Sequence, residues 1–176
     1  MKNQLRKKAI ETRKELDCTI ASEKIMENLF SLDEYADSNK IICYYPLHHE
    51  ISDFECIKDK RKQIYLPRVN GDDLEVCPYE PDKMHCGSYR IQEPETECIN
   101  NFDDIDMIII PCVAADKNGY RIGYGKGYYD RLLKKLPDKV IKVILTYSAL
   151  CFNNVYPEYF DVKADIVITE DRIYRC

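Results

Sequence analysis

The sequence predicts an α/β fold built around a mostly parallel sheet, and two patterns support this prediction. Short apolar runs rich in Ile and Val recur along the chain, and several are apolar throughout, as strands buried on both faces are. Stretches with apolar residues at helical spacing lie between these runs. Strands that alternate with helices indicate a sheet covered by helices. We therefore expect a three-layer α/β/α sandwich with a mixed, Rossmann-like sheet.

The elements follow in order along the chain. The first thirty residues predict two helices: Leu5, Ala9 and Leu16 lie near one face of the first, and basic residues cover much of the rest. In the second, an apolar stripe predicts core packing by Ile25, Met26, Leu29 and Phe30. Strands are predicted at 41–45, 64–66, 74–79, 107–110, 140–145 and 166–168. Further helices are predicted at 53–62 and 128–136. The turn-rich stretch 74–94 indicates that part of the sheet is antiparallel.

Length and composition limit the class of protein. The 176 residues suit one compact domain, which we expect to span 1–176. Apolar residues make up 45% and charged residues 32%, an ordinary globular composition. The net charge of −5 argues against nucleic-acid binding, which favours an excess of Lys and Arg. Without an apolar segment of membrane-spanning length or a secretory pattern, we expect a cytoplasmic monomer that binds no membrane.

The nine cysteines occur singly, without a Cys-x-x-Cys pair, and the three histidines lack zinc-site spacing. Most of these cysteines lie beside apolar residues, where a free thiol behaves as a small hydrophobic group. This pattern predicts a reduced protein with structural thiols, and it favours neither a zinc site nor a catalytic cysteine.

Four of the six glycines fall within nine residues: Gly119, Gly123, Gly125 and Gly127. They follow the predicted strand that ends at Ile110 and precede the predicted helix at 128–136. Ligands of open α/β sheets collect beyond the carboxyl ends of strands. Glycines there permit positive φ angles and a close approach of backbone N–H groups to phosphate oxygens. The alternative interpretation is a flexible turn between strand and helix.

The charges in this segment favour the phosphate interpretation. The guanidinium of Arg121 can donate hydrogen bonds to two oxygens at once, and the long side chain of Lys126 can bring its ammonium group to a phosphoryl group. Asp130 is the candidate carboxylate for Mg²⁺, which takes one or two carboxylates together with phosphates and water. The segment matches neither the Walker P-loop nor the GxGxxG fingerprint. Residue chemistry thus predicts an anion loop for a nucleotide or a sugar phosphate.

A resemblance extends this interpretation. The segment PCVAAD at 111–116, followed by GYRIGYGKGYYDR at 119–131, resembles the signature of the 5-formyltetrahydrofolate cyclo-ligase family, also called 5,10-methenyltetrahydrofolate synthetase. The likeness extends over nearly the whole chain. It implies catalytic roles for Lys126 and Arg121. It also implies ATP contacts by Lys2, Arg6, Arg121, Ile122, Gly123, Tyr124, Gly125, Lys126, Gly127, Tyr128 and Tyr129.

Four other segments carry the same resemblance. Lys2 and Arg6 resemble the basic pair of the family's first helix, and a spacing of four places both side chains on one face. The segment YYPLHHEI at 44–51 resembles a folate-contacting segment, which implies an aromatic contact by Tyr45 and a carboxylate contact by Glu50. Substrate contacts are thereby implied for Tyr45, Glu50, Arg68, Tyr124, Gly125, Lys126, Gly127 and Tyr128. The segment YLPR at 65–68 resembles a family strand that ends in Pro-Arg, and for Arg68 a surface ion pair is the alternative.

The C-terminal segment DVKADIVITE at 161–170 resembles the family motif that ends in Thr-Glu, and it implies that Asp165 is a second magnesium carboxylate beside Asp130. The sequence departs from the family pattern around the site. Cys112 stands at a common Gly, Ala115 at a common Phe, and Phe160 and Lys163 at a common His and Pro. The stretch 147–154 also lacks an expected glutamine.

The resemblance implies that the chain uses ATP and Mg²⁺ to convert 5-formyltetrahydrofolate into 5,10-methenyltetrahydrofolate, with release of ADP and phosphate. Two alternatives stay open. One is a non-catalytic protein that binds a nucleotide or a phosphosugar with the same loop. The other is a sugar-phosphate isomerase, for which Asp116 is the nearby candidate base.

Overall fold

The computed structural model describes residues 1–16, 18–47 and 50–176. Within these ranges the helices are α1 (Lys2–Glu15), α2 (Cys18–Phe30), α3 (Asp33–Asp37), α4 (Phe54–Ile57) and α5 (Tyr128–Leu133). The strands are β1 (Lys40–Ile42), β2 (Gln63–Asn70), β3 (Asp73–Pro78), β4 (Met84–Cys86), β5 (Gln92–Pro94), β6 (Met107–Ile110), β7 (Ala114–Asp116), β8 (Arg121–Ile122), β9 (Ile141–Leu145), β10 (Cys151–Phe152), β11 (Ile166–Ile168) and β12 (Ile173–Arg175). Every strand and helix predicted from the sequence is present, with bounds that differ by a few residues.

The central sheet has seven strands in the order β12-β11-β9-β6-β1-β2-β3. The five inner strands run parallel to one another, whereas β3 and β12 pair antiparallel at the two edges. A short hairpin of β4 and β5 accounts for the predicted turn-rich region. The α/β prediction with a mixed, mostly parallel sheet is therefore confirmed.

Strand β6 shows why the sheet has a layer on each face. All four of its residues are buried, and they alternate between two core clusters. Met107 and Ile109 pack in the cluster that contains residues of α1 and α2, while Ile108 and Ile110 pack in the cluster under α5. Because successive side chains of a strand point to opposite faces, an apolar run of this kind requires cover on both sides.

Strands β7 and β8 form a hairpin that the sequence did not predict. The chain leaves β6 at the carboxyl edge of the sheet, runs along β7 and turns at Gly119. There the Gly119 carbonyl accepts the N–H of Ala164, which lies just before β11 and hence at the amino edge. Strand β8 then returns toward the carboxyl edge, where the Ile122 carbonyl accepts the Val113 N–H. The glycine loop (residues 123–127) therefore follows β8, whereas the sequence had indicated that it follows β6.

The cysteines depart from expectation at one pair. Cys77 and Cys98 form a disulfide, so the prediction of a fully reduced chain is wrong for these two residues. Six other described cysteines are free thiols, and Cys43 and Cys112 are buried among apolar groups as predicted. Burial raises the pKa of the Cys112 thiol to about 11, so this thiol is neutral near pH 7.

The hairpin turn generates a stability prediction. Gly119 has a φ of +94°, and a Cβ there would lie 2.5 Å from the Ala164 carbonyl oxygen. Gly71 has a φ of +60° with nothing within 4 Å of an added Cβ. We expect Gly119→Ala to lower the free energy of unfolding by ~2–5 kcal/mol, and Gly71→Ala by only ~1–2 kcal/mol. Urea denaturation of both variants measures the difference, and equal losses would contradict the overlap with Ala164.

Candidate active site

The glycine loop of residues 123–127 links β8 to α5 at the carboxyl edge of the sheet. Gly125 and Gly127 have φ values of +96° and +70°, which residues with a side chain adopt only at a cost in free energy. Gly127 directly precedes α5. The side chain of Lys126 is exposed and forms no hydrogen bond or ion pair with any described residue. The loop thus presents an exposed cation, unpaired among the described residues, on a backbone whose conformation requires glycine.

Arg121 lies behind this loop and is almost fully buried, with 4% of its side chain exposed. Its Nη2 lies 2.9 Å from Oδ1 of Asp130, in the first turn of α5. Asp130 Oδ1 and Arg121 Nε are nevertheless buried without a hydrogen-bond partner among the described residues. Arg121 is therefore engaged with Asp130 and is not a free cation for a ligand. The incompletely satisfied carboxylate beside the loop fits a hard cation such as Mg²⁺.

Other loop residues divide between the ligand side and the core. The Ile122 side chain is fully buried, so only its backbone borders the loop. Tyr129 packs against both core clusters, and burial raises the pKa of its hydroxyl well above the usual range. The Tyr128 hydroxyl donates to the Gly71 carbonyl at 3.3 Å, which ties α5 to the β2–β3 turn. These contacts position the loop and leave Tyr124, which is half-exposed, on its open side.

Tyr124 connects the loop to the segment after β1. Its hydroxyl donates to Oε1 of Glu50 at 3.0 Å, while Oε2 of Glu50 accepts the Leu47 N–H at 2.7 Å. Burial raises the pKa of Glu50, and these two hydrogen bonds, with the nearby Arg13 cation, act in the opposite direction. Two of the three predicted substrate-contacting segments therefore meet directly.

The segment of residues 44–53 is itself fixed at its base. The buried carboxylate of Asp53 accepts the Tyr44 N–H at 3.0 Å, and the Tyr44 hydroxyl donates to the Ile51 carbonyl at 2.6 Å. Tyr45 packs edge-on against Phe54, with ring centroids 5.1 Å apart. Since these contacts close the segment on itself, Glu50 projects from an anchored turn. His48 and His49 lie outside the described residues.

Helix α1 brings basic side chains to the same place. Arg6 donates from Nε to the Gly123 carbonyl at 2.8 Å, and its guanidinium lies beside Gly125. Lys2 is ion-paired with Asp161 at 2.5 Å and with Glu158 at 3.3 Å. Arg6 thus contacts the glycine loop, whereas Lys2 contacts the segment before β11.

Comparison with known proteins places this site in a family. The sequence model of the 5-formyltetrahydrofolate cyclo-ligase family matches residues 1–170. The chain belongs to this family. A 5-formyltetrahydrofolate cyclo-ligase from Haemophilus influenzae is 30% identical over 159 residues, which cover 84% of this chain and 85% of that protein. One from Mycoplasma pneumoniae is 27% identical over 184 residues, covering 97% and 99%.

Solved structures agree with the family assignment. The NMR structure of 5,10-methenyltetrahydrofolate synthetase from Aquifex aeolicus matches with a TM-score of 0.88 and 36% identity, over 99% of this chain and 92% of that one. The synthetase from Mycoplasma pneumoniae matches with a TM-score of 0.77 and 27% identity, over 96% and 98%. Membership in the cyclo-ligase family makes this chain an enzyme of the ligase class, and it supports the cyclo-ligase activity that the family is named for. No helix among the described residues is both long and apolar enough to cross a membrane.

Two residues that the cyclo-ligase resemblance implied for the site are engaged elsewhere. Arg68 forms an ion pair with Glu75 at 2.9 Å and donates to the carbonyls of Pro94 and Thr96. Its guanidinium holds β2, β3 and the β5 region together, which favours the ion-pair alternative, and a substrate contact by Arg68 stays a prediction. Such a clamp stabilises the antiparallel edge of the sheet.

Asp165 is the second of these two residues. Its carboxylate accepts the N–H of Lys142, at the start of β9, and the residue itself precedes β11. It therefore lies at the amino edge of the sheet, whereas the loop that leads to Asp130 opens at the carboxyl edge. The structure does not bring Asp165 and Asp130 together on one magnesium ion. Among residues 1–16, 18–47 and 50–176, no cluster of three or more His, Cys, Asp or Glu side chains suits a metal.

The isomerase alternative loses its candidate base. Asp116 is buried and accepts the N–H groups of Asn118, Tyr120 and Val155. These bonds hold the β7–β8 turn and leave the carboxylate committed to the backbone. Asp116 is therefore a structural residue of the hairpin.

Sequence reasoning missed Arg13, one of the basic residues predicted to cover the part of the first helix away from its apolar face. In the structure Arg13 is buried and reaches the Cys112 and Val113 carbonyls and the Tyr124 hydroxyl. Its spacing contained the signal, because Leu5, Ala9 and Arg13 follow one another at intervals of four residues and share a face.

The Arg121–Asp130 pair generates a stability prediction. Asp130→Asn leaves the buried Arg121 guanidinium without a compensating charge, so we expect a loss of ~2–4 kcal/mol in the free energy of unfolding. Asp73→Asn is the matched control, because it removes an exposed carboxylate that pairs with Arg131 and Lys135, and solvent screening makes its expected cost clearly smaller. Urea denaturation at constant pH compares the two, and a similar cost for both would show that burial of Arg121 is unimportant.

Proposed function

We propose that this enzyme uses ATP and Mg²⁺ to cyclise 5-formyltetrahydrofolate to 5,10-methenyltetrahydrofolate, with release of ADP and phosphate. The observation that carries the proposal is the 3.0 Å hydrogen bond from Tyr124 to Glu50. It joins the glycine loop, which we propose binds the phosphates, to the segment of residues 44–53, which we propose binds the folate. A direct phosphoryl transfer requires its donor and acceptor to be held side by side, and this contact supports such an arrangement.

The chemistry requires an activated leaving group. The formyl oxygen attacks the γ-phosphorus of ATP, the bond from that phosphorus to the bridging oxygen breaks, and ADP leaves. The resulting iminium phosphate is attacked at its carbon by the second nitrogen of the folate. The carbon–oxygen bond then breaks, inorganic phosphate departs, and the proton of the attacking nitrogen passes to solvent. No protein nucleophile is needed, so the protein supplies positioning and charge.

The described residues suit these tasks. Lys126 is free to reach the transferred phosphoryl group, and Arg6 borders the loop at Gly125. Glu50 accepts hydrogen bonds from folate N–H groups, and the ring of Tyr45 packs on the pterin. Asp130, held by Arg121, is the residue that would hold Mg²⁺, which neutralises charge on the phosphates when bound. A single protein carboxylate is sufficient because phosphate oxygens and water complete the coordination.

Residues 1–176 act as one cyclo-ligase domain, the protein is a cytoplasmic monomer, and its partners are small molecules. The net charge of −5 supports the absence of a nucleic-acid partner.

The decisive assay mixes protein, MgCl₂, ATP and 5-formyltetrahydrofolate and follows the methenyl absorbance. We expect an absorbance increase that depends on both ATP and folate, with one ADP formed per turnover. ATP binding by calorimetry without any absorbance change would overturn the cyclo-ligase proposal. That result would favour the alternative of a non-catalytic nucleotide-binding protein.

Lys126→Ala tests the phosphoryl-transfer role of the loop. We expect kcat to fall about 10²–10³-fold, because a cation at the transferred group stabilises the transition state more than the ground state. The unfolding midpoint is expected to stay constant, since Lys126 is exposed. Lys134→Ala, an exposed lysine at the end of α5, is the matched control and is expected to retain full activity. Equal activity of both variants would remove Lys126 from the mechanism.

The raised pKa of Glu50 predicts an acidic limb in the pH profile. Protonation removes its capacity to accept hydrogen bonds from folate N–H groups, so kcat/KM for the folate is expected to fall as the pH drops. The midpoint should lie above the usual glutamate range, because burial disfavours the charged form. Glu50→Gln is expected to lose this limb and about 10-fold or more of kcat/KM at neutral pH. A limb that persists unchanged in Glu50→Gln belongs to another group.

A further inference from the structure

Arg13 is a buried cation without a described counterion. Only 7% of the residue is exposed, and no carboxylate forms an ion pair with it among the residues that the structure describes. Nη2 donates to the Cys112 carbonyl at 2.5 Å and to the Val113 carbonyl at 2.9 Å. Its Nε is buried without an acceptor. Burial of a cation with neutral partners alone is costly, which distinguishes Arg13 from the solvated lysines around it.

The remaining donor of Arg13 faces the candidate site. Nη1 lies 3.3 Å from the Tyr124 hydroxyl oxygen, and that hydroxyl donates to Glu50. Arginine can only donate and a carboxylate can only accept, so the direction of this chain is fixed: guanidinium to phenol, phenol to carboxylate. Burial and the neighbouring Glu50 charge raise the pKa of Tyr124, so its hydroxyl keeps the proton that it donates.

Three segments of the candidate site meet at this one guanidinium. Arg13 belongs to α1, which also carries Arg6; Cys112 and Val113 form the turn that leaves β6; and Tyr124 belongs to the glycine loop. Through Tyr124 the contact extends to Glu50. An arginine has the geometry for this task because its planar fork directs several donors in fixed directions.

We propose that Arg13 is a positioning residue for the folate: through the Tyr124 hydroxyl it fixes the Glu50 carboxylate in the orientation that accepts hydrogen bonds from the pterin. This inference rests on the proposed function. Arg13 itself contacts no substrate in this scheme. Its loss removes the donor that fixes the Tyr124 hydroxyl, so that among the described residues the Leu47 N–H is the one contact of Glu50 that stays fixed.

Two variants test this role, and a third serves as the control. Arg13→Met removes the charge and the donors, and Arg13→Lys keeps the charge but loses the fork. Lys14→Met changes the adjacent, exposed cation of the same helix. We expect Arg13→Met to raise the KM for 5-formyltetrahydrofolate about tenfold or more, with a smaller change in the KM for ATP. Lys14→Met is expected to match the wild type in both constants.

A double-mutant cycle separates positioning from mere structural support. If Arg13 acts through Tyr124, Tyr124→Phe and Arg13→Met each raise the folate KM, and the double variant is no worse than the more affected single variant. Independent, multiplicative effects of the two substitutions would overturn the proposal. The dissociation constant for the folate, measured by calorimetry, provides the same comparison without turnover.

The pH profile gives a second readout that structural damage alone does not move. Glu50 faces Tyr124 from the loop, Arg13 from α1, Tyr129 from α5, Cys112 after β6, and Tyr44 and Asp53 from its own segment. Of these only Arg13 is cationic. Its removal therefore disfavours the ionised carboxylate, and Arg13→Met is expected to shift the acidic limb to higher pH by roughly half a unit or more. Arg13→Lys is expected to keep the wild-type limb while still raising the folate KM.

The outcomes are distinguishable. A wild-type enzyme without ATP-dependent cyclisation contradicts the proposed function. A normal wild-type enzyme with unchanged folate KM and unchanged acidic limb in both Arg13 variants contradicts the role of Arg13 alone. If Arg13→Met does not fold, Arg13→Lys decides, because a folate KM equal to that of the wild type is then incompatible with the need for the fork.

Discussion

The carboxylate of Asp116 receives three backbone N–H groups, and the position of the candidate site depends on these bonds. Two of the donors, Asn118 and Tyr120, shape the turn between β7 and β8, and the third, Val155, belongs to the segment that approaches β11. Together they fix how far the chain travels after β6 before it reverses. The hairpin returns the glycine loop to the carboxyl edge of the sheet, where α1 and the segment after β1 also arrive. Without that reversal the loop would not reach the edge of the sheet at which Glu50 lies.

Buried charge sets the second constraint on the site. Arg13 and Arg121 are both nearly inaccessible to solvent, and each has an Nε without a partner among the described residues. Arg121 is offset by Asp130, whereas Arg13 is offset by carbonyl oxygens and, through a phenol, by Glu50. Charges held this way lose little strength to solvent screening, which favours their use in orienting a reaction that separates and transfers phosphate charge.

The predictability of the molecule varies with the range of the interactions involved. Strand β6 was predicted to the residue, because an unbroken run of Met and Ile begins after an acidic segment and ends at Pro111. The strands of the β7–β8 hairpin are two and three residues long, too short to show a period, and they escaped prediction. The engagements of Arg68 and Arg121 depend on partners that are distant in sequence or on the next helix, so residue type alone could not reveal them.

Two misassignments had a usable signal. Asp165 precedes a parallel strand, which places it at the amino edge, while the glycine loop was expected at the carboxyl edge. Strand direction alone therefore separates the two, although the motif had suggested a shared metal. Arg13 follows Leu5 and Ala9 at four-residue intervals, so its helical position indicated burial even though its charge indicated solvent.

The hydroxyl of Tyr124 belongs to both halves of the candidate site, and this has a thermodynamic consequence. Under the proposed function, a folate that draws Glu50 toward its pterin also changes the energy of the phenol, and hence of the loop proposed to bind the nucleotide. Such coupling is reciprocal: if bound folate changes the affinity for ATP by some factor, bound ATP changes the affinity for folate by the same factor. The two substrates thus become each other's effectors, and an affinity measured for either one alone is that of a half-assembled enzyme.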